Sequence, residues 1–318
     1  MVAYIFKRIL VSIAMIMCIG TMIFFMIHMV PGDPVDVLLA SEGGGGATAE
    51  QRAAMRHLLG LDRPIYEQYI RWMGGLIQGD FGTSPITGRK VINDILRQFP
   101  QTVELCVGAL IIAVLIGIPG GILAAVKSNS RYDMVVTTLS LVGLSLPNFV
   151  VGTILILVFG LYLQWLPLGG FVSFSRDPLL HLQLLFFPCL SLGLALGAIV
   201  LRMTRSAMLE VLRQDYIRTA RAKGLTELVV NYQQALRNAL IPVVTLTGIQ
   251  VGTLIGGSVV VEFVFNWPGL STLLLQGVWQ RDYPMVTGVV MVMSGAFIII
   301  NLAVDVINAW LDPRISYT

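Results

Sequence analysis

Few residues in this sequence are placed to do covalent or metal chemistry. The nearest approach to a nucleotide loop is Gly121-x-x-x-x-Val126-Lys127-Ser128, where Val replaces the second glycine of G-x-x-x-x-G-K-[ST] and no strand precedes the segment. That glycine lets backbone amides close on a phosphate, so the stretch reads as an ordinary basic helix terminus. Cys18, Cys106 and Cys189 form no C-x-x-C pair, have no histidine at ligand spacing, and read as buried thiols packing as small hydrophobes. No H-E-x-x-H or G-x-S-x-G occurs, which leaves a hydrolase with little support. The stretch that offers recognition chemistry is Arg202 to Arg237, RMTRSAMLEVLRQDYIRTARAKGLTELVVNYQQALR. In it Asp215-Tyr216-Ile217-Arg218-Thr219-Ala220-Arg221-Ala222-Lys223 spells a short helix that Gly224 stops. The spacing puts Tyr216, Ile217 and Ala220 on one face, with Arg218 and Arg221 projecting elsewhere. Small Thr219, Ala220 and Ala222 admit a close fit into a groove on another protein, and the cations suit acidic partners.

The elements that must carry this segment follow from composition. Of 318 residues, 56% are hydrophobic and 12% charged, whereas a soluble domain carries about 25% charge. Six windows, 9–32, 105–126, 134–175, 178–201, 238–261 and 283–304, contain no Asp, Glu, Lys or Arg. Each exceeds the ~20 residues that cross a bilayer as a helix, and together they fill about half the chain. The reading is an all-α polytopic membrane protein with spans at 9–30, 102–126, 134–163, 183–204, 238–262 and 285–308. A seventh charge-free stretch, 263–280, is short and broken by Asn266, Pro268 and Gly269. Trp267 and Trp279 suit the headgroup layer, so 263–284 is expected to be interfacial or re-entrant. His28 and His181 are expected near the surface.

Six crossings place the N-terminus (1–8), loop 127–133, loop 205–237 and the C-terminus (309–318) on one side. That side holds Lys7, Arg8, Lys127, Arg131, Arg202, Arg205, Arg213, Arg218, Arg221, Lys223, Arg237 and Arg314, whereas the opposite short loops, including 164–182, hold only Arg176 and Arg281. Long loops such as 31–101 cross largely regardless of charge, so both termini are expected to be cytoplasmic. The first window follows Lys7 and Arg8 but has no A-x-A-like cleavage site, which makes it a signal anchor. The formal net charge of +3 comes from this one-sided clustering and gives no reason to invoke nucleic acid.

Within the 31–101 loop, Thr48-Ala49-Glu50-Gln51 fits a capping box opening a helix through Leu59, which Gly60 ends. Ile65, Tyr69, Trp72, Met73, Leu76 and Ile77 recur at helical spacing, a face for headgroups or for packing on the bundle. Gly43 to Gly46 reads as a tether. Pro147 and Pro188 should bend the third and fourth spans. Gly117/Gly121, Gly193/Gly197 and Gly252/Gly256 have the spacing that lets helix backbones approach, within the chain or between subunits. No inverted repeat of the secondary-transporter kind is evident.

Asp215 through Leu225, followed by Ala235-Leu236-Arg237-Asn238-Ala239-Leu240-Ile241-Pro242-Val243-Val244-Thr245, resembles the signature loop of ABC-importer permeases, in their dipeptide, oligopeptide, nickel and glutathione branch. Matching motifs run the length of the chain: Pro31-Gly32-Asp33-Pro34, Gly79-Asp80-Phe81-Gly82-Thr83-Ser84, Trp267-Pro268-Gly269-Leu270, Arg281-Asp282-Tyr283-Pro284, Asn301-Leu302-Ala303-Val304-Asp305 and Asp312-Pro313-Arg314-Ile315. The superfamily signature begins Glu-Ala-Ala where this chain, like its branch, has Arg218-Thr219-Ala220. The resemblance implies a type I ABC importer permease fold in a bacterial inner membrane, with Asp215 to Gly224 as the coupling helix that docks on a cytoplasmic ATPase subunit. It further implies a homologous second permease in a heterodimer, two ATPase subunits that carry ATP and Mg, and an extracytoplasmic substrate-binding protein. No cofactor is expected in this chain, no catalysis of its own, and a short peptide is the expected cargo. The rival is an ion-coupled secondary transporter, which needs intramembrane charge. The windows lack acidic and basic residues, and Glu262 and Asp305 sit at their edges as interhelix hydrogen-bonding groups.

Overall fold

The structure is a computed structural model that describes residues 2–29, 35, 48–58, 60–165, 167 and 169–311. The Pro31 to Pro34 motif, the Gly43 to Gly46 tether and the Asp312 to Ile315 motif lie outside them. Among the described residues the chain is helical, and one isolated antiparallel bridge, Thr83 with Lys90, stands in place of any strand. The helices are α1 (Val2–Met29), α2 (Ala49–Leu58), α3 (Ile65–Ile77), α4 (Val91–Val126), α5 (Arg131–Ser145), α6 (Asn148–Leu155), α7 (Pro178–Leu212), α8 (Asp215–Ala222), α9 (Glu227–Val229), α10 (Leu236–Gly257), α11 (Val259–Val264), α12 (Leu270–Trp279) and α13 (Tyr283–Leu311). Two π-helical stretches, Ile156–Tyr162 after α6 and Val230–Ala235 before α10, interrupt this pattern.

Local chemistry sets several helix starts. Thr48 and Gln51 form the expected reciprocal box, with Thr48 Oγ1 accepting the Gln51 N–H at 3.3 Å and Gln51 Oε1 accepting the Thr48 N–H at 2.9 Å. Asp177 caps α7 through the Leu180 N–H at 3.0 Å, with Pro178 in the first turn, where its missing N–H costs nothing. Five stretches are long and apolar enough to cross a bilayer: Phe6–Met29, Val91–Val126, Pro178–Leu212, Glu227–Gly257 and Tyr283–Ile307. The expected third span is instead a pair, α5 and the α6 run to Tyr162, bent by 102°. Leu146 is extended there (ψ 128°) because the ring of Pro147 excludes an α conformation from the residue before it. Pro188, by contrast, sits inside an unbroken α7. Helices also outrun their apolar windows, since backbone pairing continues where side chains become polar.

The chain divides into two compact units. The first comprises 1–6, 102–267 and 297–318; the second comprises 7–101 and 268–296. In the first unit α7 is the hub, packed by α5, α6 and α10, and 67% of its most apolar stretch is buried. The glycine spacing serves this packing. A Cβ on Gly117 would lie 2.7 Å from Val200, one on Gly121 2.7 Å from the Leu201 carbonyl, and one on Gly193 2.9 Å from the Ala109 carbonyl, so α4 and α7 touch backbone to backbone. Gly252 lies against Phe297, while Gly256 has open space beside it.

Three side chains depart from the sequence reading. Trp267 is fully buried rather than at a headgroup layer, edge-on to Phe171 at 5.0 Å and His181 at 5.5 Å. His181 is buried too: its Nδ1 meets the Val172 carbonyl at 2.7 Å, and its Nε2 lies 3.5 Å from Glu104. Cys106 and Cys189 are buried as expected, whereas Cys18 is exposed.

In the second unit, Val91, Ile95, Leu270, Leu273, Met285 and Val289 form the core. The α3 face read from the spacing packs on α1: Tyr69 meets Phe24 edge-on at 5.3 Å, Trp72 lies tilted against it at 5.5 Å, and the Tyr69 and Thr21 hydroxyls hydrogen-bond at 2.8 Å. Met73 is buried, while Ile65 and Ile77 point outward.

Candidate functional site

The sequence-predicted site falls on α8, a two-turn helix between α7 and the π stretch Val230–Ala235. Ile217 is fully buried and Ala220 nearly so, and these two positions three apart seat the helix against the π stretch. Asp215, Tyr216, Arg218, Thr219, Arg221, Ala222, Lys223 and Gly224 are exposed. Tyr216 therefore does not share the inner face expected for it. It turns outward and its hydroxyl accepts from Asn238 Nδ2 at 2.8 Å. Ala220, read as a small residue for a partner's groove, instead lets α8 lie close to its own chain.

The end of α8 is a left-handed cap. Gly224 has φ +80°, its N–H donates to the Arg221 carbonyl at 2.9 Å, and the Leu225 N–H reaches back to the Ala220 carbonyl at 3.4 Å. This is the double reverse bond that closes a helix with glycine, whose missing Cβ removes the steric cost of that φ. Arg221 reaches across the turn to Glu227, with Nε to Oε1 at 2.9 Å and Nη2 to Oε2 at 3.3 Å, while Arg218 lies 3.4 Å from Asp215. The displayed face thus joins a tyrosine, a threonine, an alanine and three cations on a helix whose inner residues are locked. The Gly121 to Ser128 near-match is α-helical through Val126 and packed at Gly121, so it forms no phosphate loop.

One further cluster was not read from the sequence. Arg205 on α7 grips Asp133 at the start of α5 with two of its nitrogens, Nε to Oδ1 at 2.6 Å and Nη2 to Oδ2 at 2.8 Å. Asp133 also accepts the Asn129 N–H at 2.9 Å and the Thr137 hydroxyl at 3.3 Å, which ties the 127–133 turn to α7. The available signal was two opposite charges bounding neighbouring apolar windows on one side. Glu262, read from the sequence as an interhelix hydrogen-bonding group, is fully buried, and its Oε1 accepts from Thr102 and Ser258, each at 3.0 Å. In the other unit, the Gly79 to Ser84 and Arg281 to Pro284 motifs meet: Ser84 Oγ donates to Asp282 Oδ2, and Asp282 Oδ1 accepts the Met285 N–H at 3.1 Å. Burial pushes the Asp282 carboxyl above its ordinary range, and the Ser84 and Met285 bonds oppose that rise.

The long apolar helices with one short displayed helix between two of them define a polytopic α-helical membrane protein. Residues 117–317 match the family described as binding-protein-dependent transport system inner membrane component, and residues 1–106 match that family's N-terminal region. The chain is 41% identical over 317 residues to the glutathione transport system permease protein GsiC of Escherichia coli (strain K12) and 42% identical to that of Salmonella paratyphi A (strain ATCC 9150 / SARB42), covering 100% of both chains in each case. Among solved structures it is similar to a chain of the inward-facing MetNI methionine ABC transporter, with TM-score 0.57, 19% identity, and coverage of 69% of this chain and 96% of that one. It is also similar to an amino acid ABC transporter with histidines, at TM-score 0.51 and 14% identity, covering 70% of this chain and 95% of that one. This chain belongs to the inner membrane component family of binding-protein-dependent transport systems, with the type I ABC importer permease fold. It is a permease subunit of an ABC importer in a bacterial inner membrane.

Proposed function

We propose that this permease pairs with a homologous second permease to form an inward pathway for short peptides, glutathione among them, delivered by an extracytoplasmic substrate-binding protein. The 41% identity to a glutathione permease over its full length supports that cargo class. Energy comes from two cytoplasmic ATPase subunits that hold ATP and Mg, while this chain binds neither. Both termini and α8 face the cytoplasm, as the one-sided basic residues favour.

The observation that carries the docking assignment is the division of α8 into an inner pair, Ile217 and Ala220, and an outer face of Tyr216, Arg218, Thr219, Arg221, Ala222 and Lys223. A helix gripped from within by its own chain moves with α7 and α10 when a partner pushes on its outer face. The test is ATP-driven uptake in vesicles holding the full assembly. Thr219→Trp should abolish accumulation and leave the subunits assembled and ATP hydrolysis no longer stimulated by loaded binding protein. Wild-type uptake by that variant would overturn the docking assignment. Uptake that follows the proton gradient and survives ATP depletion would instead favour the ion-coupled reading.

A further inference from the structure

The second unit contains a cavity of about 360 Å³ that the transport reading does not use. It is walled by the last turns of α1, by α3, by the Asp80 to Pro85 loop and by the first turn of α13. Its apolar surface comes from Phe24, Ile27, Trp72, Phe81 and Pro284, and three guanidinium groups, those of Arg63, Arg71 and Arg281, line it as well. Arg63 lies 3.8 Å from Glu67. Among the described residues, neither Arg71 nor Arg281 pairs with a carboxylate.

The other polar groups facing the cavity are largely committed. His28 meets the Phe24 carbonyl through Nδ1 at 2.7 Å and Gln68 Oε1 through Nε2 at 3.3 Å. Asp80 accepts the Gly82 N–H at 3.0 Å, and among the described residues it is the one carboxylate in the lining against three permanent cations. The described lining therefore combines apolar side chains with an excess of positive charge. The cavity volume lies at the lower end of the range for small-ligand sites, enough for a headgroup and the first carbons of a chain.

Position selects among anions. The cavity sits where the apolar run of α1 ends, the depth at which phosphates lie and at which Trp and Tyr rings settle. Beside it, α3 turns Tyr66, Ile70 and Ile77 outward, all exposed and on one stripe of the helix. That stripe is the face by which a helix lies in an interface. Guanidinium forks match phosphate oxygens in pairs, the geometry that a phospholipid phosphate offers.

We propose that this cavity binds the phosphate of an anionic phospholipid, held by Arg71 and Arg281, with the start of an acyl chain against Phe24 and Trp72. The site is separate from the α8 docking assignment, and either can fail without the other. Trp72 reports on it directly. In the full assembly reconstituted in nanodiscs, dibrominated phosphatidylglycerol should quench Trp72 fluorescence severalfold more than dibrominated phosphatidylcholine, read as the difference from Trp72→Phe. The excess should vanish in R71A/R281A, persist in Arg176→Ala, and survive in part in R71K/R281K, which keeps the charge and loses the fork. The lysine variant also guards against a folding artefact in the alanine one. Equal quenching by the two lipids, or an excess unaffected by R71A/R281A, would overturn the proposal. So would reversal of the quenching by inorganic phosphate, which would assign the cavity to a soluble anion, or by dialanine, which would assign it to a soluble zwitterion.

Discussion

The helix α8 and the Ser84–Asp282 junction are both built from motifs of the same chain, yet they treat their polar groups in opposite ways. On α8 the apolar residues Ile217 and Ala220 are hidden and the charges are displayed. At the junction the polar groups are hidden: Ser84 and Asp282 are buried and satisfy each other across 198 positions of sequence. A displayed charge on a firmly seated helix is available to another molecule. A buried hydroxyl–carboxylate pair is spent on holding its own unit together, and its loss leaves an unpaired group behind.

Breaking the displayed side should give the largest effect. Replacing both Thr219 and Ala222 with Trp should lower ATP-driven uptake at least ~30-fold, the consequence of losing roughly 2 kcal/mol of a docking hot spot, with little change in thermal midpoint. Breaking the buried side should do the reverse. Glu262→Ala removes the acceptor of the Thr102 and Ser258 hydroxyls and should cost about 1–3 kcal/mol, read as an earlier denaturation of the purified protein. Ser84→Ala strands the Asp282 carboxyl oxygen and should cost a similar ~1–3 kcal/mol.

Titration sharpens the contrast. Because burial raises the Asp282 pKa in the folded chain, the folded state holds its proton longer than the unfolded state does. Stability must then fall as pH rises from the ordinary carboxylate range through the folded value. Asp282→Asn should flatten that part of the stability-versus-pH curve. The smallest effect should come from Gly224→Ala. At φ +80° a Cβ costs about 1 kcal/mol, enough to loosen the end of α8 and lower uptake modestly without loss of the protein.

The spans were legible because the absence of charge over twenty residues is a signal that survives any packing arrangement. The break at Leu146 and Pro147 was only half legible: the proline announced a bend, but the 102° turn depends on what α5 and α6 each pack against α7. On α8, the element, its glycine stop and the outward cations could be read from spacing. The orientation of Tyr216 and Ala220 could not, since adjacent residues on a helix lie about 100° apart and only the seating of Ile217 fixes which neighbour turns inward. Trp267 and His181 show the same limit. An aromatic ring near a span end suits an interface or a core equally well, and the contacts among Phe171, His181 and Trp267 join parts of the chain that no local pattern connects.

The central claim, that α8 is seated from within and gripped from without, is tested most directly by cysteine cross-linking in membranes containing the full assembly. A cysteine at Thr219, in a background whose Cys18, Cys106 and Cys189 are replaced by Ala, should form a bridge to a cysteine introduced in the ATPase subunit, with a yield that changes on ATP addition. A cysteine at Ile217 should form none. Equal yields at the two positions, or no bridge at Thr219 with any ATPase-subunit position tried, would contradict the account.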